Sequence, residues 1–179
     1  LVTMTTTKDF SGVDELRFRL IGGVHEPGDA YYEDSVTLFN AMIETRPLLV
    51  VECLAVTDVV AALAFAREQG LPVAVRGGGH SVAGLSLSQD GLVLDVRGMA
   101  AIDVDAAQRV ARVGGGAIWA DVDRATQAHG LAATGGRVST TGVAGLTLGG
   151  GSGWLERKHG LACDNLVAAE VVTWDGRVV

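Results

Sequence analysis

The sequence predicts an α+β fold built as two small α/β sub-layers of one domain, from the strands before and after the Asp90-Gly91 turn, and not a Rossmann fold. Three observations lead there. Residues 48–75 read as strand, helix, strand. Residues 102–113 alternate apolar and polar side chains as a hairpin does. The glycines, 25 of 179 residues, collect at 77–79, 114–116, 135–136, 142–153 and 160. Glycine is used where the backbone needs positive φ or where something must approach the main chain closely. Glycine clusters that end apolar segments therefore suggest several loops lining one ligand. The dinucleotide fingerprint G-x-G-x-x-G is absent: Gly77-Gly-Gly79 continues His-Ser-Val, and Gly149-Gly-Gly151 continues Ser-Gly-Trp. The P-loop ending Gly-Lys-Ser/Thr is absent too.

Taken in order, residues 1–10 are polar and Thr-rich, and are expected to be a disordered terminus or a vector-derived remnant. Residues 11–47 form a lead-in in which Val36, Leu38, Phe39 and Met42 fit one helical face, ended by Arg46-Pro47. Leu48–Glu52 is a short apolar strand. Thr57 is placed to cap a helix with Asp58 in its first turn and Val59, Ala62, Leu63 and Ala66 as its apolar stripe. Gly70 closes that helix. Pro72–Val75 is the return strand, running straight into Arg76-Gly-Gly-Gly-His-Ser81.

Leu92–Val96 reads as a buried strand. Ile102–Asp105 and Arg109–Val113 form a hairpin around Ala106–Gln108. A second helix over 117–129 carries Ile118, Val122 and Ala125 inward and ends at Gly130. Residues 135–153 are a long Gly/Thr stretch. The apolar run Leu166–Trp174 ends at Asp175-Gly176, a two-residue hairpin signal, with Arg177–Val179 opening the return strand. Since the chain stops inside that hairpin, it is expected to be a fragment of a longer protein.

Composition narrows the function. The chain is 48% hydrophobic and carries a net charge of −7 with no Lys/Arg cluster, which argues against a nucleic-acid surface. It has no run of about 18 apolar residues to span a membrane and no visible signal peptide, so a cytoplasmic location is expected. Cys53 and Cys163 lie far apart and are expected to be reduced, with Cys163 a small buried residue. His25, His129 and His159 have no partners at metal spacing, and there is no C-x-x-C, so no metal is expected. Adjacent loop residues seldom face each other as nucleophile and base, which sets aside a Ser81–His80 hydrolase. Trp119, Trp154 and Trp174 read as core or surface packing.

The Arg76–Ser81 loop has the chemistry of an anion site. Three successive glycines let Gly77, Gly78 and Gly79 point their N–H groups into one concavity. Ser81 adds a hydroxyl donor, and the Arg76 guanidinium suits a pyrophosphate. Thr140-Thr141-Gly142 and Gly149-Gly150-Gly151 offer a second such surface.

The ordered set Val75-Arg-Gly-Gly-Gly-His-Ser81, Leu94-Asp-Val-Arg-Gly-Met99, Gly114-Gly-Gly-Ala117, Thr141-Gly-Val-Ala-Gly145, Gly149-Gly-Gly-Ser-Gly-Trp154 and His159-Gly-Leu-Ala-Cys-Asp-Asn165 resembles the PCMH-type FAD-binding domain of the vanillyl-alcohol-oxidase superfamily, in its berberine-bridge-enzyme-like and 6-hydroxynicotine-oxidase-like branch. The resemblance implies an FAD-binding domain over 48–179, incomplete and lacking a C-terminal substrate domain. It implies covalent attachment of His80 to the 8α carbon of FAD. An acidic flavin 8-methyl group and a neutral imidazole, whose ordinary pKa is about 6.5, are suited to that bond. Ser139, Gly145, Gly149, Gly150 and Val172 join the loop residues above as implied cofactor contacts. Some family members add a second link from a cysteine to flavin C6; Val138 stands at that position, which leaves a single link. Cys163 lies well past the site.

The activity implied is a flavoprotein oxidase or dehydrogenase that takes a hydride from a CH–OH or CH–NH group onto flavin N5 and passes electrons to oxygen or another acceptor. The substrate would be a small sugar, alcohol, amine or alkaloid-like molecule. Its catalytic groups are expected in the missing substrate domain, so this segment alone is expected not to turn over. Three alternatives stay open: the same fold as a reductase-type domain with non-covalent FAD, a non-catalytic flavin-binding module serving a partner chain, and a globular domain without cofactor.

Overall fold

The computed structural model describes residues 12–179; the expectation for residues 1–10 lies outside them. The first sub-layer is a four-stranded sheet. Strands β2 (Leu49–Glu52), β4 (Leu92–Asp95) and β3 (Val73–Arg76) run parallel, and β1 (Gly23–His25) pairs antiparallel with β2 at the edge. The order is β1-β2-β4-β3, so the two strands of the expected strand–helix–strand unit are not neighbours. β4 lies between them, with Leu92 facing both Leu49 and Val73, so the strand after the Asp90-Gly91 turn belongs to the first sub-layer and the division falls after β4, not at that turn.

Alternation of side chains divides the sheet's two faces. Leu49, Val51, Leu92 and Leu94 pack against α1 (Val13–Arg19) and α3 (Val56–Gln69), through Leu16, Ala62, Leu63, Phe65 and Ala66. Val50, Ala74 and Val93 face the other way, onto Tyr32 and Val36 of α2 (Ala30–Val36) and onto Leu38. Central strands buried on both faces read as continuous apolar runs. That is why β2 and β4 stand out in the sequence.

The α3 start differs from the expectation. The N-cap is Ala55 rather than Thr57, and the cap chemistry comes from Asp58. Its buried carboxylate accepts from the N–H groups of Leu54 (2.9 Å) and Ala55 (3.3 Å), and also from Ile21 (2.9 Å) and Gly22 (3.2 Å). Asp58 therefore ties the α1–β1 corner to the first turn of α3. The end is as expected: Gly70 takes φ 63.

The second sub-layer is the antiparallel hairpin β5 (Ile102–Asp105) and β6 (Val110–Val113), covered by α4 (Trp119–Gln127). The inward face of α4 is Trp119, Val122 and Thr126 rather than Ile118, Val122 and Ala125. Trp119 decides the rotation, because its ring fills the space beside Gly135 and Gly136. The Gly/Thr stretch is not all loop: α5 (Val143–Leu148) and α6 (Glu156–His159) form within and after it. At the end of the chain, Val171 pairs with Val179 and Thr173 with Arg177. The connection is three residues, 174–176, not two: Gly176 N donates to the Thr173 carbonyl at 2.8 Å, and Gly176 takes φ 85 to lead into Arg177.

The lead-in also departs from its expected single helical face. α2 ends at Val36, and Phe39 and Met42 lie beyond it, 67% and 88% exposed. Cys163 is exposed in a 3₁₀ turn instead of buried, whereas Cys53 is buried. Trp154 and Trp174 are surface residues.

Candidate functional site

The site grows from one topological necessity. Parallel neighbours need a crossover of a dozen or more residues, usually a helix. Between β3 and β4 that crossover is the irregular segment 77–91, and its first residues are the His80 loop. The loop leaves the carboxyl end of β3, where open α/β sheets bind ligands. Gly79 turns it at φ 70. Among the described residues, the N–H groups of Gly78, Gly79, His80 and Ser81 donate to no protein acceptor, so they remain available to an anion.

Three glycine clusters meet here. A Cβ on Gly78 would stand 2.2 Å from the backbone N of Gly142, and one on Gly142 would stand 2.5 Å from the N of Gly78. A Cβ on Gly77 would meet the Gly115 carbonyl oxygen at 3.2 Å. Glycine at 78 and 142 is thus required by backbone touching backbone. This contact brings Thr140 and Thr141 to His80 from the second sub-layer. His80 Nε2 lies 3.0 Å from Thr140 Oγ1, and Nδ1 lies 3.5 Å from Thr141 Oγ1. Phe39 stacks on the imidazole face, with ring centroids 4.4 Å apart and planes at 15°. Burial lowers the His80 pKa below its ordinary 6.5, which favours the neutral, nucleophilic ring at neutral pH.

Arg76 ends β3 and opens the loop. Its guanidinium is buried and committed to carbonyls: Nε donates to Ser35 (2.7 Å), and the terminal nitrogens donate to Gly77 (3.0 Å) and Thr37 (3.3 Å). These bonds brace the loop and anchor the lead-in to it. Ser81 Oγ accepts from Leu85 N at 3.0 Å and so braces its own turn. The Ser139 carbonyl accepts from Ala120 N at 2.8 Å, which seats its loop on α4. Gly145 lies within α5, Gly149 caps it, and Gly150 at φ 105 docks Cys163 through its carbonyl. Val172 stands apart: it packs on the α1–α3 side of the sheet and bridges Val178.

Sequence reasoning missed a buried polar network behind the loop. Asp95, fully buried at the end of β4, accepts from Ser35 Oγ (2.9 Å) and from the Arg97 side chain (2.7 Å at the closest). Arg97 also reaches Asp34 at 2.6 Å and lies over the Tyr31 ring. Burial opposes the charge on Arg97, but hydrogen bonds to Asp95 and Asp34 prevail and raise its pKa. Burial raises that of Tyr31, helped by the Asp95 charge. The signal was present: a carboxylate inside the apolar run Leu92–Val96 must be paired.

The geometry at hand is a glycine-built loop of free N–H groups beside a stacked imidazole whose pKa burial lowers. A family model described as "FAD binding domain" matches residues 47–179. The chain belongs to that FAD-binding family. It is 38% identical over 158 residues to (R)-6-hydroxynicotine oxidase of Paenarthrobacter nicotinovorans, covering 88% of this chain and 34% of that protein. The crystal structure of 6-hydroxy-D-nicotine oxidase from Arthrobacter nicotinovorans superposes with a TM-score of 0.87 at 38% identity, over 89% of this chain and 35% of that one. The BBE-like 1 protein of Physcomitrella patens gives 0.88 at 29% identity, over 93% and 37%. Glucooligosaccharide oxidase from Acremonium strictum, described with a 6-S-cysteinyl, 8α-N1-histidyl FAD, gives 0.87 at 27%, over 94% and 36%. The fold is therefore the PCMH-type FAD-binding fold that the motifs imply. The chain spans about a third of the length of the curated relatives it matches. Among the described residues, no helix is long and apolar enough to cross a membrane, and no group of His, Cys, Asp or Glu is placed to hold a metal.

Proposed function

We propose that this chain is the FAD-binding part of a flavoprotein oxidase or dehydrogenase, with the flavin attached covalently through His80 alone. The observation that carries the reading is the His80 ring itself. Its pKa is lowered by burial, it is hydrogen-bonded at Nε2, and it stands beside free N–H groups built on glycine. The residues present fit the cofactor: the nest suits a pyrophosphate, and the cradle at Gly78 and Gly142 is one that any side chain would fill. Among the flavin's neighbours in this reading, Gly78, Gly79 and Ser81 hold phosphate oxygens through their free N–H groups, and Gly77 lets the loop pass close to Gly115. Thr140 holds Nε2 and leaves Nδ1, with its longer 3.5 Å contact to Thr141, as the freer nitrogen for the bond. Val138 supplies no thiol for a second bond.

When bound, FAD supplies hydride acceptance at N5 from a CH–OH or CH–NH carbon, followed by reoxidation by oxygen. The names of relatives, among them a 6-hydroxynicotine oxidase and a xylooligosaccharide oxidase, support a small-molecule substrate of the amine, alkaloid or sugar class. The groups that seat and deprotonate it are expected outside these 179 residues.

The test is direct. Full-length protein is precipitated in acid, washed and examined for yellow colour, and the peptide containing His80 is weighed. A flavin adduct on that peptide, absent in His80→Ala, is the expected result. Colour released quantitatively into the acid supernatant would replace this reading with non-covalent FAD.

A further inference from the structure

We infer that Phe39, on the lead-in before the matched FAD-binding region, is a positioning residue that sets the plane of the His80 imidazole for flavin attachment. The inference rests on the covalent reading above and deepens it.

Phe39 is 67% exposed, so its ring adds little to the core. What it covers is His80, in a near-parallel stack at 4.4 Å. The backbone around it is held to the same loop at several points. Phe39 N donates to the Gly79 carbonyl at 3.1 Å, and Asn40 Nδ2 donates to the Val82 carbonyl at 2.8 Å. Leu38 is buried against Gly79. Arg76 grips the Ser35 and Thr37 carbonyls from below. Residues 35–40 thus run beside 79–82 as a splint, and Phe39 is the one side chain of the splint laid on the reactive ring.

The geometry suits that role. In a neutral imidazole the nucleophilic lone pair, on the unprotonated nitrogen, lies in the ring plane, so a stacked neighbour fixes the plane without covering the nucleophile. Thr140 at Nε2 then fixes rotation within the plane. Attachment joins a ring nitrogen to the flavin 8α carbon. One hydrogen leaves the methyl group, one leaves the imidazole, and two electrons pass to molecular oxygen, which becomes hydrogen peroxide. A ring free to swing about its side-chain bonds would present its nitrogen to that carbon less often.

The experiment follows attachment itself, not turnover. Full-length apoprotein is mixed with FAD, acid-quenched at intervals, and the adduct on the His80 peptide is quantified. Wild type, His80→Ala, Phe39→Ala, Phe39→Leu and Phe39→Tyr are compared, with non-covalent FAD affinity measured by flavin fluorescence. Phe39→Ala and Phe39→Leu should attach flavin about 3- to 10-fold more slowly, the range of an aromatic pair, while FAD affinity is unchanged. Leu keeps bulk but not a flat face, so it separates stacking from packing and serves if Ala impairs folding. Phe39→Tyr should restore the rate. The ring's neighbours Phe39, Thr140 and Thr141 carry no titratable group, and burial is the cause of the lowered His80 pKa. Removing Phe39 exposes the ring, so the pH profile of attachment should move upward towards the ordinary imidazole value. Attachment by both Phe39→Ala and Phe39→Leu at the wild-type rate would overturn the positioning role while leaving His80 as the attachment site. Absence of any adduct in wild type would overturn both.

Discussion

Adding one methyl group at Gly78 should loosen the joint between the two sub-layers. A Cβ there stands 2.2 Å from Gly142 N and 2.7 Å from Gly142 Cα. Ordinary contact begins at 3.4 Å, so the two backbones must part by about 1.2 Å. Neither partner is a flexible side chain that can swing aside. Overpacking of this kind costs about 1–3 kcal/mol. For a domain of this size, each kcal/mol moves Tm by about 2–4 °C, so Gly78→Ala should melt roughly 2–12 °C below wild type. The matched control is Gly115→Ala, in the neighbouring glycine cluster, where a Cβ meets nothing within 4 Å. That variant should stay within about 0.5 kcal/mol of wild type. The assay is thermal unfolding followed by circular dichroism, with the His80–flavin adduct as a second readout, since the displaced loop carries His80 away from Thr140. A Gly78→Ala protein that melts with wild type, or a Gly115→Ala protein that falls equally far, would refute the claim that backbone contact demands glycine at 78.

Two further outcomes are expected. Asp95→Ala leaves Arg97 and Ser35 without their buried partner and should cost about 3–5 kcal/mol, read from the urea midpoint; a loss below about 1 kcal/mol would show that the network contributes little. Burial, with the nearby Asp58, Asp95 and Glu52 charges, pushes the Cys53 thiol up to about 12, whereas Cys163 is exposed. A thiol reagent at neutral pH should therefore label the peptide containing Cys163 quickly and the peptide containing Cys53 only in denaturant; fast labelling of both would contradict the buried position of Cys53.

Much of the fold was legible because its strands are buried on both faces. Leu49–Glu52 and Leu92–Asp95 leave no polar face to blur the pattern, and Gly70 closes α3 where a left-handed residue is needed. Sheet order was not legible. Nothing local in Leu92–Asp95 records that it inserts between two strands already joined through α3. β1 is three residues long and gets its place from Val51 and its neighbours, not from its own propensity. The rotation of α4 followed from a ring that needed room beside glycine, a tertiary fact. At the site, the glycines and His80 were visible as residue types, but the partners of each were not. Arg76 looked like a free cation because a sequence does not show which carbonyls lie within its reach. Phe39 resembled one more apolar residue of a helix, when its partner lies 41 positions further along the chain.

The meeting of Gly78 with Gly142 has a consequence in time as well as space. One wall of the site follows β3 and the other follows α4, so a chain that has formed only its parallel sheet holds an open loop and no pocket. His80 gains Thr140 across 60 residues, and only when the second sub-layer docks. Closing so long a loop is slow compared with forming helices or local turns. The site therefore exists only once the two sub-layers have docked, and occupancy by a ligand that bridges both walls would report that docking.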